Sequence, residues 1–378
     1  MNKDNLERAI ALRRELHTHP ELSNEEVWTK ARLLEFLKKN TKNLTIKDEK
    51  TWFYAVYHAK GNHKKENIAF RADFDALPMA EGIDIPWASK VEGKSHKCGH
   101  DGHSSSMMAF AMEVDQKGAP NNLFFLWQPA EEVGEGALQC LPLIERENIT
   151  RIFGYHNLQG FPLRSVAVRD EVIQCASVGM IIKLKGTPAH ASQPESGRNP
   201  SRAIAYLIEK IPEETKKSTN LLLCTVVQVN VGNRQFGMSA YYGELLLTIR
   251  AVYEKELEEL RDNLIQLSKK KAQEDGLEVS FEYSDYFPET RNDPKCTDMV
   301  RQVAKERNIQ LVEMKDALRP SEDFGHYTKK CPGSYFFIGN GVDYPPIHTT
   351  PYDFRDEIIE VSVEMFKGLA GMTTSPSL

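Results

Sequence analysis

The feature that most constrains this fold is a change of rhythm in the middle of the chain. Apolar periodicity there runs strand (178–185), helix (200–211), strand (222–231), strand (242–252), helix (255–271), strand (277–283). That order, βαββαβ, predicts a ferredoxin-like unit. Before it, strand-like runs at 52–58, 67–72, 122–128 and 151–156 alternate with helix-like runs at 102–114 and 136–147. After it the alternation returns, with a helix at 294–307, strands at 310–313 and 334–338, and a helix at 355–367. Alternating strands and helices predict a mainly parallel sheet covered by helices on both faces. The chain therefore reads as an α/β domain over 1–174 and 288–378, split by an inserted domain over 175–287. A length of 378 residues suits two domains better than one core.

Two helices open the chain. Leu6, Ala9, Ile10 and Leu16 follow a helical period that Pro20 closes. Ser23 and Glu26 form the pattern of a capping box before a second face of Val27, Ala31, Leu34 and Leu37. The tail from Thr373 is rich in Ser, Thr and Pro and reads as frayed.

Charge and composition narrow the partners. A net charge of −6 offers no basic footprint for nucleic acid. No run of eighteen apolar residues exists, so no membrane span is expected. The start Met1-Asn2-Lys3-Asp4 lacks an apolar signal segment, which predicts a cytoplasmic protein. Six scattered cysteines without a CxxC pair predict free thiols. Cys98 stands apart because His100 and His103 follow it closely.

Five segments carry candidate chemistry. In Cys98-Gly99-His100-Asp101-Gly102-His103 a thiolate and an imidazole one glycine apart reach a single metal in a tight turn. A helix cap with incidental histidines has the same letters. Glu131-Glu132 follows an apolar strand, at the end where open α/β sheets place their sites. One carboxylate there can bind metal and the other take a proton from water; a solvated acidic loop is the plain alternative. His156 and His348 are each ordinary taken singly, a strand-end and a loop histidine. Asp73 and Asp75 close a strand as turn residues, or orient a ligand histidine. Taken together, Cys98, His100, Glu132, His156 and His348 exceed what one tetrahedral ion needs and suit two ions with a bridging ligand. The donor types favour zinc, manganese, cobalt or nickel over magnesium or calcium. In the insertion, His190 is a surface histidine or a substrate contact, and Arg250 is a surface arginine or a clamp for a substrate carboxylate.

At this point the chain resembles the aminoacylase and hippurate-hydrolase branch of the metal-dependent amidohydrolases related to zinc carboxypeptidases. That branch includes the auxin-conjugate hydrolases and acetyl-diaminopimelate deacetylases. The resemblance spans nearly the whole chain, in order: Arg14-Glu15-Leu16-His17 to Pro20-Glu21-Leu22, Arg71 to Pro78, Cys98 to His103, Gln128-Pro129-Ala130-Glu131-Glu132, His156-Asn157, Ala189-His190-Ala191, Arg291-Asn292-Asp293, Glu322-Asp323-Phe324 and the His348 loop. It implies that Cys98, His100, Glu132, His156 and His348 bind two divalent ions, that Glu131 is the general base and that Asp75 stands behind a ligand. The candidate substrate-binding residues are Arg250 and Asn292. The resemblance also implies a homodimer through the inserted lid domain, with His190 reaching the other subunit's site. The activity implied is hydrolysis of N-acyl amino acids. The alternatives are a dipeptidase or carboxypeptidase of the same superfamily and a non-catalytic metal-binding protein. Two departures stand out. Gly237-Met238-Ser239-Ala240 replaces an Asn-Val-Ile-Pro-like run, and Leu158-Gln159-Gly160 replaces Leu-Pro-Gly.

Overall fold

A computed structural model describes residues 1–61 and 65–373, so residues 374–378 of the expected frayed tail lie outside it. The chain divides into two compact units. The first comprises Met1–Ile173, Thr290–Asp316 and Asp323–Leu378, and the second Gln174–Glu289 and Ala317–Glu322.

The first unit opens with α1 (Lys3–Thr18), α2 (Val27–Asn40), β1 (Thr45–Asp48), β2 (Phe53–Tyr57) and β3 (Asn67–Asp73). It continues with α3 (His100–Lys117), β4 (Asn122–Gln128), α4 (Gly136–Cys140), α5 (Pro142–Arg146), β5 (Arg151–Gln159), β6 (Val166–Val168) and β7 (Glu171–Gln174). The second unit holds β8 (Ala176–Lys185), α6 (Ser201–Thr215), β9 (Leu222–Val231), β10 (Tyr242–Ala251), α7 (Glu254–Asp275) and β11 (Glu278–Phe287). The first unit resumes with β12 (Thr290–Asn292), α8 (Pro294–Glu306), β13 (Leu311–Glu313), α9 (Gly325–Thr328), β14 (Gly333–Gly341) and α10 (Glu357–Leu369).

The large sheet runs β1-β2-β4-β3-β5-β14-β6-β13. Its centre is parallel: β4 with β3, β3 with β5, and β5 with β14. The neighbours β2 and β6 run antiparallel to it. Central strands of a parallel sheet are buried on both faces, and β3, β4 and β14 are accordingly buried almost throughout. Phe70 of β3 meets Phe110 of α3 at 4.9 Å and Phe366 of α10 at 5.0 Å, edge to face, which seats both helices on the sheet. The second unit's sheet runs β11-β8-β10-β9, all antiparallel, over a core that includes Leu207 of α6 and Leu260 and Leu264 of α7.

Two local expectations are corrected. The helix expected over 136–147 is two short helices, because Pro142 has no N–H to continue α4 and instead begins α5. The Ser23/Glu26 capping box does not form. Ser23 donates to Asp75 at 2.8 Å and Glu26 accepts from Ala130 N–H at 2.8 Å. The carboxylate of Glu21 takes over, accepting from Trp28 and Thr29 N–H at 3.1 and 2.8 Å.

Candidate metal centre and active site

The carboxyl ends of the parallel strands face one small region, and four chain segments converge there. The first is the turn into α3. Gly99 has φ +108°, and a Cβ on it would sit 2.3 Å from Asn157 Oδ1 and 2.6 Å from Tyr352 Oη. Only glycine permits this approach, which brings Cys98 and His100 to the same point from either side of the turn. Asp101 in the first helical turn suits the helix dipole.

The sulfur of Cys98 lies 3.2 Å from His156 Nε2, near the end of β5, and 3.3 Å from His348 Nε2. His156 Nδ1 is bonded to the Asn157 carbonyl at 2.7 Å, which leaves Nε2 its lone pair. His348 has φ +60° and is held by its N–H donating to Lys97 O at 2.7 Å. The loop after β4 turns at Ala130 (φ +50°) and presents both glutamates. His100 Nε2 is 3.8 Å from a carboxylate oxygen of each of Glu131 and Glu132, and Glu132 Oε1 is 3.5 Å from His348 Nε2.

Of five groups of clustered donors among the described residues, two triads, Cys98–His100–His156 and Cys98–Glu132–His348, share the sulfur. Two buried polar atoms here, His100 Nε2 and Glu132 Oε1, have no hydrogen-bond partner among the described residues. Such atoms are costly unless something binds them. Soft sulfur, imidazole and carboxylate around them fit a borderline divalent cation.

The surrounding shell fixes the donors. Asp75 Oδ1 faces His100 Nδ1 at 3.0 Å, and its other oxygen accepts from Ser23 Oγ and from Glu132 N–H at 3.0 Å. One carboxylate thus orients a histidine of one triad and the backbone of the other. His103, left without a role by the sequence, bonds Asp73 at 2.7 Å and Asn157 Oδ1 at 2.6 Å and joins the ends of β3 and β5. Both of its ring nitrogens are engaged by these partners. Arg71, fully buried, bridges Asp73 at 2.6 Å and Asp323 at 2.7 Å. Only the fold reveals these pairings, because their partners lie up to 252 residues apart.

The electrostatics favour positive charge at this point. Burial opposes ionisation of His100, but Asp73 and then Asp75 outweigh it and raise its pKa to about 10. Burial also opposes charge on Asp73, yet His100 and Arg71 hold it well below the usual carboxylate range. Cys98 is pushed well above an ordinary thiol by burial and by Glu132 and Glu131.

The remaining expected site residues separate. Asn292, expected at the substrate, has an amide that donates to Arg169 O and Tyr335 O and an oxygen that accepts from Tyr335 N–H at 2.7 Å. It is buried and fixes β14 through these bonds. His190 and Arg250 belong to the second unit. His190 Nδ1 bonds Ser192 Oγ at 2.7 Å, and its loop pairs with the unusual 237–240 run through Ser239 N–H to Ala189 O at 2.8 Å. Arg250 donates to Ser321 Oγ at 2.6 Å and has no carboxylate partner among the described residues.

A cluster of imidazoles, one sulfur and paired carboxylates at the carboxyl edge of a parallel sheet, buried except toward the exposed His348, is the centre of a metal-binding hydrolase. Residues 69–371 match the family model for peptidase family M20/M25/M40, and the chain belongs to that family. An N-acetylcysteine deacetylase of Bacillus subtilis (strain 168) is 28% identical over 369 residues, covering 96% of each chain. The hippurate hydrolase of Campylobacter jejuni is 27% identical over 369 residues, covering 95% of this chain and 94% of the other. The crystal structure of a Bacillus subtilis protein, a dinuclear metal-binding peptidase of the M20 family, superimposes with a TM-score of 0.82 at 26% identity, covering 98% of both. No helix among the described residues is long and apolar enough to cross a membrane.

Proposed function

We propose that this chain hydrolyses the amide bond of N-acyl amino acids with two divalent ions, drawn from zinc, manganese, cobalt and nickel. The observation that carries the reading is the pair of donor triads sharing the Cys98 sulfur, with Glu131 beside them. The relatives that deacetylate N-acetylcysteine and hydrolyse hippurate support the substrate class.

Cys98, His100 and His156 would hold one ion and Cys98, Glu132 and His348 the other. Bound there, the ions supply Lewis acidity to the amide carbonyl and bring the pKa of water toward neutrality. Asp75 keeps the hydrogen of His100 on Nδ1, so that Nε2 offers its lone pair. Glu131, almost fully buried, takes the proton of the attacking water and passes it to the departing amine nitrogen. The guanidinium of Arg250, which has no carboxylate partner among the described residues, pairs with the amino-acid carboxylate in this reading. His190 of the partner subunit donates to the developing oxyanion. The dimer this requires is supported by the edge strand β9, whose Val226, Val227 and Val229 are exposed. Six unpaired cysteines support a reducing, cytoplasmic setting.

The test contrasts two adjacent glutamates. Glu131→Gln retains both ions and loses about 10²–10⁴-fold in turnover of an N-acyl amino acid. Glu132→Gln loses an ion instead, by elemental analysis. The reverse pattern of metal content would overturn the assignment. Faster hydrolysis of free dipeptides than of N-acyl amino acids would shift the substrate class to peptides.

A further inference from the structure

The ligand-bearing loops around Cys98 and His348 are 250 residues apart. One residue outside both donor triads joins them. Lys97 is fully buried, an expensive place for an ammonium unless it is paired and hydrogen-bonded. Its Nζ pairs with Glu81 Oε1 and donates to the carbonyl of Tyr352 at 2.8 Å. Its own carbonyl accepts the N–H of His348 at 2.7 Å. Lys97 therefore grips the 348–352 segment at both ends, through its backbone and through its side chain.

The grip is reinforced from both directions. Tyr352 Oη returns to the Cys98 carbonyl at 3.3 Å. Glu81 is held by His17 Nε2 at 3.1 Å, and His17 Nδ1 sits 2.8 Å from Asp101 in the first turn of α3. The ammonium thus stands on a scaffold of α1 and α3, the latter beginning at His100. His348 needs such support, because a histidine at φ +60° is in the left-handed region that non-glycine residues adopt only when held.

We propose that Lys97 is a positioning residue for the metal centre: its ammonium, set by Glu81, holds the 348–352 segment so that His348 Nε2 faces Cys98 Sγ and Glu132 Oε1. This rests on the two-ion reading above; Lys97 touches neither substrate nor ion. A methionine at this position preserves the stem and the backbone carbonyl, but leaves Tyr352 O without its donor and the Glu81 carboxylate without its countercharge. The segment then loses the ammonium's hold at Tyr352 O and keeps at that end the weaker Tyr352 Oη bond to the Cys98 carbonyl at 3.3 Å.

The experiment is a calorimetric titration of chelator-stripped, full-length protein with manganese chloride, for wild type, Lys97→Met and Lys97→Arg, with thermal unfolding followed alongside. Wild type takes up two ions. Lys97→Met keeps one step unchanged and weakens the other about 10–100-fold, the usual effect of losing an outer-shell partner. Lys97→Arg, which restores a cation for Glu81 and a donor for Tyr352, recovers part of that loss. Turnover of Lys97→Met rises as manganese is raised past the weakened step. Equal weakening of both steps, or two steps at wild-type affinity in Lys97→Met, overturns the proposal. If Lys97→Met does not fold, Glu81→Gln replaces it: selective weakening of one step upholds the proposal and two unchanged steps refute it. Wild-type protein that takes up no pair of ions overturns the two-ion reading as well, whereas intact two-step uptake in the variants overturns the role of Lys97 alone.

Discussion

Asp75→Asn changes one atom, and the structure says where the cost falls. The carboxylate of Asp75 faces donors on both sides. On one side is His100 Nδ1 at 3.0 Å; on the other are Ser23 Oγ at 2.8 Å and Glu132 N–H at 3.0 Å. Both groups nearest His100 Nδ1, the Asp75 carboxylate and the Asp75 carbonyl, are acceptors, so Nδ1 carries a hydrogen. An asparagine has one oxygen for these two sides. With its oxygen toward Glu132, its NH2 opposes His100 Nδ1–H, donor against donor. With its oxygen toward His100, its NH2 opposes the buried N–H of Glu132. Either choice leaves a buried donor unsatisfied, a cost of about 1–3 kcal/mol in the metal-free protein. Loss of the outer-shell carboxylate adds about a 10–100-fold drop in metal affinity. Urea unfolding of chelated protein measures the first effect and manganese titration the second. A variant that unfolds at the wild-type midpoint and binds manganese with wild-type affinity would refute the reasoning.

Three further outcomes follow from named contacts. Chelator-treated protein should lose hydrolysis of N-acyl amino acids and regain it with manganese, cobalt, nickel or zinc; full activity in protein shown by elemental analysis to be metal-free would contradict the ligand set. Glu26 has a pKa raised to about 8, because burial and then the Asp75 charge oppose its ionisation. The folded protein therefore holds this proton more tightly than the unfolded chain, whose carboxyl titrates near 4.5, and stability falls as pH rises between about 4.5 and about 8. Glu26→Gln keeps an oxygen for Ala130 N–H and cannot ionise, so in chelated protein it should gain on wild type across that window by at most about 5 kcal/mol, at roughly 1.4 kcal/mol per pH unit; stability curves that stay parallel from pH 5 to 9 would count against it. Mixing His190→Ala with Glu131→Gln protein under verified subunit exchange should raise activity above either parent, since a mixed dimer would combine one intact base with one intact donor; no rise would place the histidine in its own subunit or outside catalysis.

What the sequence disclosed follows from which signals are local. Strands β3, β4 and β5 are long and apolar, and their runs stand out between polar turns. β1 is four mostly exposed residues, Thr45–Asp48, and β6 only three, too short to show a period. Ser23 and Glu26 have the capping spacing, yet both side chains go to residues more than fifty positions away, a tertiary choice that no local pattern announces. The donor candidates were legible because cysteine and histidine packed around a glycine are unusual letters. Their supports were not. Asn292 lies in a matching segment, but nothing in the sequence separates an amide facing a ligand from one bonded to Tyr335. Nothing in the sequence distinguishes Lys97 from a surface lysine, and only the fold shows it buried beside Glu81.

The charge pattern also decides what kind of hydrolase Cys98 can serve. A cysteine between histidines, near a glutamate, invites the reading of a nucleophile activated by a neighbouring base. Such a nucleophile needs a depressed pKa, supplied by cations or a helix N-terminus. Here the environment does the reverse. Burial first, then Glu132 and Glu131, push the Cys98 thiol well above its ordinary value. His156, the imidazole at 3.2 Å, is held well below its ordinary value by burial and by His103 and His100, so it offers the sulfur no positive charge. Burial and the two carboxylates thus disfavour a free thiolate at Cys98. A divalent cation inverts the same electrostatics, because the buried carboxylates that oppose a lone thiolate attract the ion that a thiolate binds. Asp73, Asp75, Glu131 and Glu132 then become assets rather than costs, which is consistent with the base role proposed above for Glu131.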